Sequence, residues 1–319
     1  MMLFSLDADA TLAQALAANL GVSVAPHENR VFEDGEHKLR PLLDPRGSDA
    51  YVIHSLYGDS HNSPHDKLMQ LLMFIATLRE HGAARITAVV PYLAYARKDR
   101  QTKSFDPVTL RYVAQLFEAV GTSQLIVLEA HNVAAFQNAF RCPTMHLEAH
   151  HAFDRLVAEL VGQDALAVVS PDPGGVKRAQ LCRESLEKTL QRQVGFAMVD
   201  KRRSAGVVSS ENLVAGDVAG MTVLLIDDLI ASGDTMRRAA LALRRAGATE
   251  VLACAAHGLF TGQAADALAD DSISSVIVTD SVPAFRLPQT CALRGKLVCA
   301  SAAWLFALAI KASHGAWRR

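Results

Sequence analysis

The chain has 319 residues, half of them hydrophobic, with 32 basic and 33 acidic residues and a net charge of −1. That length suits two domains of about 150 residues, and the near-zero charge excludes a broad electrostatic surface for nucleic acid or anionic membrane. The five cysteines, Cys142, Cys182, Cys254, Cys291 and Cys299, are scattered without any C-x₂-C spacing, so neither a disulfide framework nor structural zinc is expected.

In chain order, the apolar stretch Leu12 to Leu20 comes first. No Lys or Arg precedes Arg30, and Asp7 and Asp9 sit where an export signal needs positive charge, so a cytoplasmic protein is expected. Short β-like runs follow at 50–55, 85–92, 124–130, 165–171, 195–200, 222–228, 251–257 and 274–280. Helical stretches intervene, such as Lys67 to Gly82 and Pro107 to Gly121, and HHAFDRL from His150 opens another near the expected join of the two domains. This alternation predicts an α/β protein with two similar domains, each a mainly parallel sheet flanked by helices. The last apolar segment, Leu297 to Ile310, is too short to span a bilayer and carries Trp304, Leu305 and Leu308 at helical spacing, so it reads as a buried C-terminal helix.

The run Thr222 to Ala248 carries the chemistry. Asp227 and Asp228 end an apolar strand and are followed by Ala231, Ser232, Gly233, Asp234 and Thr235, with a helix from about Thr235 to Ala246. In open α/β sheets ligands collect outside the carboxyl ends of the strands. Hydroxyls, unhindered N–H groups and a helix amino terminus suit a phosphate, whereas two carboxylates suit sugar hydroxyls, directly or through Mg²⁺. Taken alone, the same segment is an ordinary βα turn. SPDPGG places Asp172 at a strand mouth beside two glycines, and YARKDR clusters Arg97, Lys98 and Arg100 around Asp99.

The Thr222–Thr235 segment resembles the PRPP-binding loop of phosphoribosyltransferases and PRPP synthetases. RVFEDGE (30–36), AVVPYLAYARKDR (88–100), VVSPDPGGVKRA (168–179), DKRR (200–203) and HGLFTG (257–262) resemble, in order, segments of the ribose-phosphate diphosphokinases. That resemblance implies two phosphoribosyltransferase-like domains, 1–150 on the ATP side and 151–290 on the ribose 5-phosphate side, with 291–319 packing back on the first. It implies transfer of the diphosphoryl group of Mg-ATP to ribose 5-phosphate, giving PRPP and AMP. Lys201 and Arg203 would be the catalytic cations, on a loop whose following SAGVVSSEN stretch forms a lid. Phe32, Asp34 and Glu36 would reach the adenine of a neighbouring subunit, in a homo-oligomer with the dimer as its building unit, dimer and hexamer both remaining open. Arg97, Lys98 and Asp99 would bind ATP, and His131 and Asp172 its Mg²⁺. Asp227, Asp228, Ala231, Ser232, Gly233, Asp234 and Thr235 would hold ribose 5-phosphate. Lys98, Ala231 and Asp234 depart from the usual family residues. A silent regulatory homologue and a PRPP-consuming phosphoribosyltransferase are the rival readings. His131, Asp172, Lys201 and Arg203 argue against the first, and the ATP-side residues against the second.

Overall fold

The computed structural model describes every residue except 8, 10, 205, 206, 318 and 319; the side chains of 201–212 also lie outside the described set. The chain divides into two compact units, Met1–Glu148 with Ala302–Arg319, and Ala149–Ser301.

The first unit opens with strand β1 (Met2–Ser5), helix α1 (Thr11–Leu20) and an antiparallel hairpin of β2 (His27–Val31) and β3 (His37–Pro41). It continues through β4 (Asp49–Ile53), α2 (Pro64–Glu80), β5 (Arg85–Val90), α3 (Thr109–Ala119), β6 (Gln124–Leu128), α4 (Val133–Ala139) and β7 (Thr144–Leu147). The main sheet runs β1-β4-β5-β6-β7 and every pair in it is parallel. The central strands are buried on both faces, which is why each reads as an unbroken apolar run. Helix α2 starts at Pro64, three residues before the sequence pattern suggests. Ser63 caps it, accepting from the Asp66 N–H while the Asp66 carboxylate accepts from the Ser63 N–H, with Pro64 just inside.

The second unit contains α5 (His150–Val161), β8 (Leu166–Ser170), a 3₁₀ turn (Pro173–Gly175), α6 (Val176–Leu190), β9 (Gly195–Ser204) and β10 (Val207–Ala215). Strand β11 (Thr222–Ile230), α7 (Asp234–Arg245), β12 (Glu250–Gly258), α8 (Ala264–Ala269), β13 (Ser275–Thr279), a 3₁₀ turn (Ala292–Gly295) and β14 (Leu297–Ala300) follow. Its sheet runs β10-β9-β8-β11-β12-β13-β14, parallel except for β10 against β9. From β8 the chain goes one way to β9 and then returns to the other side with β11. The β8–β11 boundary is therefore a topological switch point, where the flanking loops diverge and leave a crevice.

The expectation of one helix over Leu297–Ile310 needs correction. Its first four residues form β14, paired in register with β13 from Val276↔Leu297 to Thr279↔Ala300. The helix, α9 (Ala303–Trp317), begins only after this edge strand, and the chain joins the first unit at Ala302 rather than near Cys291. No helix among the described residues is long and apolar enough to cross a membrane.

A buried ionic cluster fixes α9 within the first unit. Arg85 forks onto Asp49, with Nε 2.7 Å from Oδ1 and Nη2 2.8 Å from Oδ2. His314 Nδ1 lies 2.6 Å from the same Asp49 Oδ2, Arg85 Nη1 donates to the Ser313 carbonyl at 3.2 Å, and the Tyr51 hydroxyl donates to Asp49 at 3.0 Å. Asp49 is fully buried. Burial alone would raise its pKa, but the hydrogen bonds from Arg85 and His314 outweigh that and hold the carboxyl below its ordinary value. Asp49 thus contributes stability at neutral pH that is lost as pH falls below the ordinary carboxylate range. Arg85→Ala would leave that buried charge without its main partner. We expect a loss of about 3–5 kcal/mol in denaturant unfolding; a loss within experimental error would show that the cluster holds nothing in place.

Candidate active site

In the second unit, two loops meet the crevice from the β8 and β11 sides. Strand β11 does not stop at the acidic pair. It continues to Ile230, with Asp227 opposite Ala255 and Leu229 opposite His257 of β12. The strand alternation separates the two carboxylates, Asp227 remaining partly accessible and Asp228 buried at 4% exposure. The Asp228 N–H donates to Asp227 Oδ1 at 2.8 Å, which orients that carboxylate. Burial, and then the adjacent Asp228 charge, push the Asp227 carboxyl up from its ordinary value, and the nearby Arg178 offsets them only in part.

Arg178 was not among the residues expected from sequence. It stands on the first turn of α6, and its Nη1 lies 3.5 Å from Asp227 Oδ1 with the side chain largely buried. The same guanidinium nitrogen would be 3.6 Å from a Cβ built on Gly175, and that Cβ would stand 2.7 Å from Ser170 Oγ. Ser170 Oγ already donates to the Asp172 carbonyl at 2.6 Å. A side chain at Gly175 would therefore press on the Ser170 hydroxyl and disturb the turn, while meeting Arg178 only at ordinary contact distance. Asp172 caps the 3₁₀ turn, its Oδ1 accepting from the N–H groups of Gly174 (2.9 Å) and Gly175 (3.3 Å).

The loop after β11 turns at Gly233, whose φ of +79° belongs to the region that favours glycine. Gly233 is the residue preceding α7, and it supplies no side-chain cap. Asp234 is the first helical residue. It is exposed, and its Oδ2 accepts from the Ser232 hydroxyl at 3.0 Å. Ala231 and Thr235 flank this pair and are half-buried. Helix α7 presents Met236, Ala239, Ala240 and Leu243 to the core, so its amino terminus is anchored at the mouth of the crevice.

The remaining expected residues of this unit, Lys201 and Arg203, stand on β9, opposite Asn212 and Val208 of β10. Their side chains, and those of the expected SAGVVSSEN lid, lie outside the described residues; where its backbone is described, that stretch ends β9 and begins β10 as strand, not as a loop.

In the first unit the expected nucleotide residues occupy two places. Phe32, Asp34 and Glu36 form the turn of the β2–β3 hairpin, closed by Phe32 N–H to Glu36 carbonyl (2.8 Å) and Gly35 N–H to Phe32 carbonyl (3.0 Å). Asp34 Oδ1 accepts from the Glu36 N–H at 3.1 Å, and Arg30 lies over the Phe32 ring at 4.9 Å. Arg97, Lys98, Asp99 and His131 lie beyond the carboxyl ends of β5 and β6. Arg97 and His131 are exposed. Asn132, also absent from the expected set, caps α4 and donates through Nδ2 to Asp99 Oδ2 at 2.6 Å, tying the two loops together. Lys98 is held by Asp106, which also accepts from the Thr102 hydroxyl and the Thr102 and Lys103 N–H groups. Those contacts, with Lys98 the largest, keep the Asp106 carboxyl far below the ordinary range. Tyr95 (φ 65°) and Glu129 (φ 44°) take left-handed backbone just past β5 and β6, as Phe260 (φ 45°) does past β12. Such strain is costly for side chains of this size and concentrates at functional edges.

A parallel sheet with an acidic pair and a glycine-hinged loop at its switch point, preceded by a second parallel α/β unit, defines a protein of the phosphoribosyltransferase-like class. Residues 1–121 match the N-terminal domain of ribose phosphate pyrophosphokinase, and residues 207–314 match the phosphoribosyl synthetase-associated domain. The chain is 35% identical over 314 residues to a ribose-phosphate pyrophosphokinase of Caldanaerobacter subterraneus subsp. tengcongensis, covering 98% of this chain and 95% of that one. It is 36% identical to the Gloeobacter violaceus enzyme of the same name, covering 89% and 82%. The crystal structure of phosphoribosylpyrophosphate synthetase from Mycobacterium smegmatis superposes with a TM-score of 0.85 at 32% identity, covering 98% of each chain. The chain belongs to the ribose-phosphate pyrophosphokinase family.

The raised Asp227 carboxyl has a measurable consequence. The native state keeps that proton to higher pH than the unfolded chain does, so stability is lost as pH rises from the ordinary carboxylate range through the raised value. Asp228→Asn removes one of the two opposed charges. The unliganded variant should be more stable than wild type by about 1 kcal/mol at neutral to alkaline pH and show little gain near pH 4 in thermal melts. Equal melting curves at both ends of that range would contradict the like-charge account.

Proposed function

We propose that this chain transfers the diphosphoryl group of ATP to the C1 hydroxyl of ribose 5-phosphate. The observation that carries the reading is the pairing of Asp227 and Asp228 with a hydroxyl-bearing, uncapped helix entrance at one crevice. In that reading Ser232, Gly233 and Thr235 seat the 5-phosphate through hydroxyl and backbone donors, and the two aspartates take the ribose hydroxyls. Ala231 adds no donor of its own beyond its backbone, and Asp234 shapes the entrance of α7. Arg178 holds Asp227 in place from α6.

The ribose C1 oxygen attacks the β-phosphorus, the bond from that phosphorus to the α,β-bridging oxygen breaks, and AMP leaves with the bonding electrons. The hydroxyl proton is released as the new C1–O–P linkage forms. A loose phosphoryl-transfer transition state depends on position and charge more than on a strong base. Lys201 and Arg203 are assigned to the charge that builds on the transferring oxygens. Arg97 and Asp99 are assigned to ATP, Asp99 oriented by Asn132, while Lys98 acts from its ion pair with Asp106. Phe32, Asp34 and Glu36 serve the adenine of a neighbouring subunit in a homo-oligomer with the dimer as its unit. The site of action is the cytoplasm.

The donor set fits Mg²⁺. Asp172 presents a carboxylate fixed by two N–H groups, and the opposed charges of Asp227 and Asp228 are the kind that a hard divalent cation relieves. His131 in the first unit and Asp172 in the second are each candidate Mg²⁺ ligands, and Asp227 and Asp228 would take an ion with the ribose hydroxyls. Bound there, Mg²⁺ would neutralise phosphate charge.

Incubation of the protein with ATP, Mg²⁺ and ribose 5-phosphate, followed by ³¹P NMR, should show sugar-dependent AMP and PRPP in equal amounts. Lys201→Ala should lower kcat by about 10²-fold or more. ATP binding without any sugar-dependent AMP would refute the synthetase reading and favour a regulatory homologue.

A further inference from the structure

The phosphate seat contains a negative charge of its own. Asp234 is the first residue of α7, exposed at the helix entrance, and its carboxylate already holds the Ser232 hydroxyl at 3.0 Å. Gly233 precedes it without a side-chain cap and the Asp234 N–H has only a long contact to Ser232 Oγ at 3.5 Å, so the first-turn N–H groups are donors that an incoming anion would use. The left-handed turn at Gly233, packed where a Cβ would meet Leu268 Cγ at 2.9 Å, fixes the path that brings Ser232 and Asp234 together. Asp234 therefore acts twice against a phosphate. It engages a hydroxyl donor of the loop, and it places a full negative charge on the turn that would otherwise attract the anion.

We propose that Asp234 is a specificity-determining residue that weakens capture of a dianionic sugar phosphate at this crevice, through charge and through its hold on Ser232. The proposal rests on the ribose 5-phosphate reading given above. The carboxylate also favours the helix amino terminus of the unliganded protein, by the attraction between a negative side chain and the positive end of the helix. The loop thus trades substrate affinity for a better-stabilised entrance to α7. A neutral side chain at this position would reverse the trade.

Two substitutions separate the contributions. Asp234→Asn removes the charge but retains an oxygen able to accept from Ser232; Asp234→Ala removes the charge and releases the hydroxyl. Ribose 5-phosphate binding to the full-length protein would be measured by isothermal titration calorimetry at low and high salt, alongside KM in the PRPP-forming assay. At low salt, Asp234→Asn should bind ribose 5-phosphate about tenfold more tightly than wild type and show a correspondingly lower KM. The advantage should shrink towards unity as salt rises, because an exposed charge is screened within a few ångströms at high ionic strength. Asp234→Ala should bind at least as tightly as Asp234→Asn. Equal or weaker binding by both variants, with PRPP formation intact, would overturn the proposal and leave the synthetase reading standing. Failure of wild type and both variants to bind ribose 5-phosphate or form PRPP would overturn both.

Discussion

Two consecutive carboxylates in a buried strand, Asp227 partly accessible and Asp228 buried, are the constraint around which the second unit is arranged. Left alone they repel, and burial raises that cost because neither charge is fully hydrated. The protein meets it with a guanidinium from α6, brought within 3.5 Å of Asp227 by a turn that needs glycine at 175. Compensation is incomplete, as the raised Asp227 carboxyl records. A cation or a hydroxyl-rich ligand at the crevice would relieve that charge imbalance.

The fold supplies the position and the loops supply the chemistry. Parallel strands put their carboxyl ends on one edge, and the reversal of strand order between β8 and β11 separates the loops there. Backbone strain marks the same edges in each unit, with Tyr95 and Glu129 in the first and Phe260 in the second. In the first unit, the Asp49–Arg85–His314 cluster puts buried charge to a different task, holding α9 in place. The contrast is instructive. Asp49 is surrounded by donors and stays ionised below its ordinary range, whereas Asp227 is underpaired and is driven the other way.

The plan of two α/β units was legible because strands buried on both faces must be apolar throughout. The acidic pair, the PDPGG turn and the serine–glycine–aspartate loop were legible too, since each breaks an apolar run with residues that a turn or ligand requires. Half-exposed β7 and hairpin strands β2 and β3 lack such a run, and β14 was hidden inside an apolar segment that continues into α9. Arg178 and Asn132 escaped notice for a different reason. A basic residue on the first turn of a helix ordinarily reads as solvated, and an asparagine before a helix reads only as a cap. A PGG turn followed by a cation three residues on was the available signal for Arg178. The tie between Lys98 and Asp106 spans a loop whose course the sequence does not specify.

The most direct test of the central claim is a crystal structure of the protein soaked with ribose 5-phosphate and Mg²⁺. The account predicts the 5-phosphate at the Ser232–Thr235 turn, with ribose hydroxyls on Asp227 and Asp228 or on a cation bound to them. Sugar phosphate seated elsewhere, with Asp227 still turned to Arg178, would contradict it.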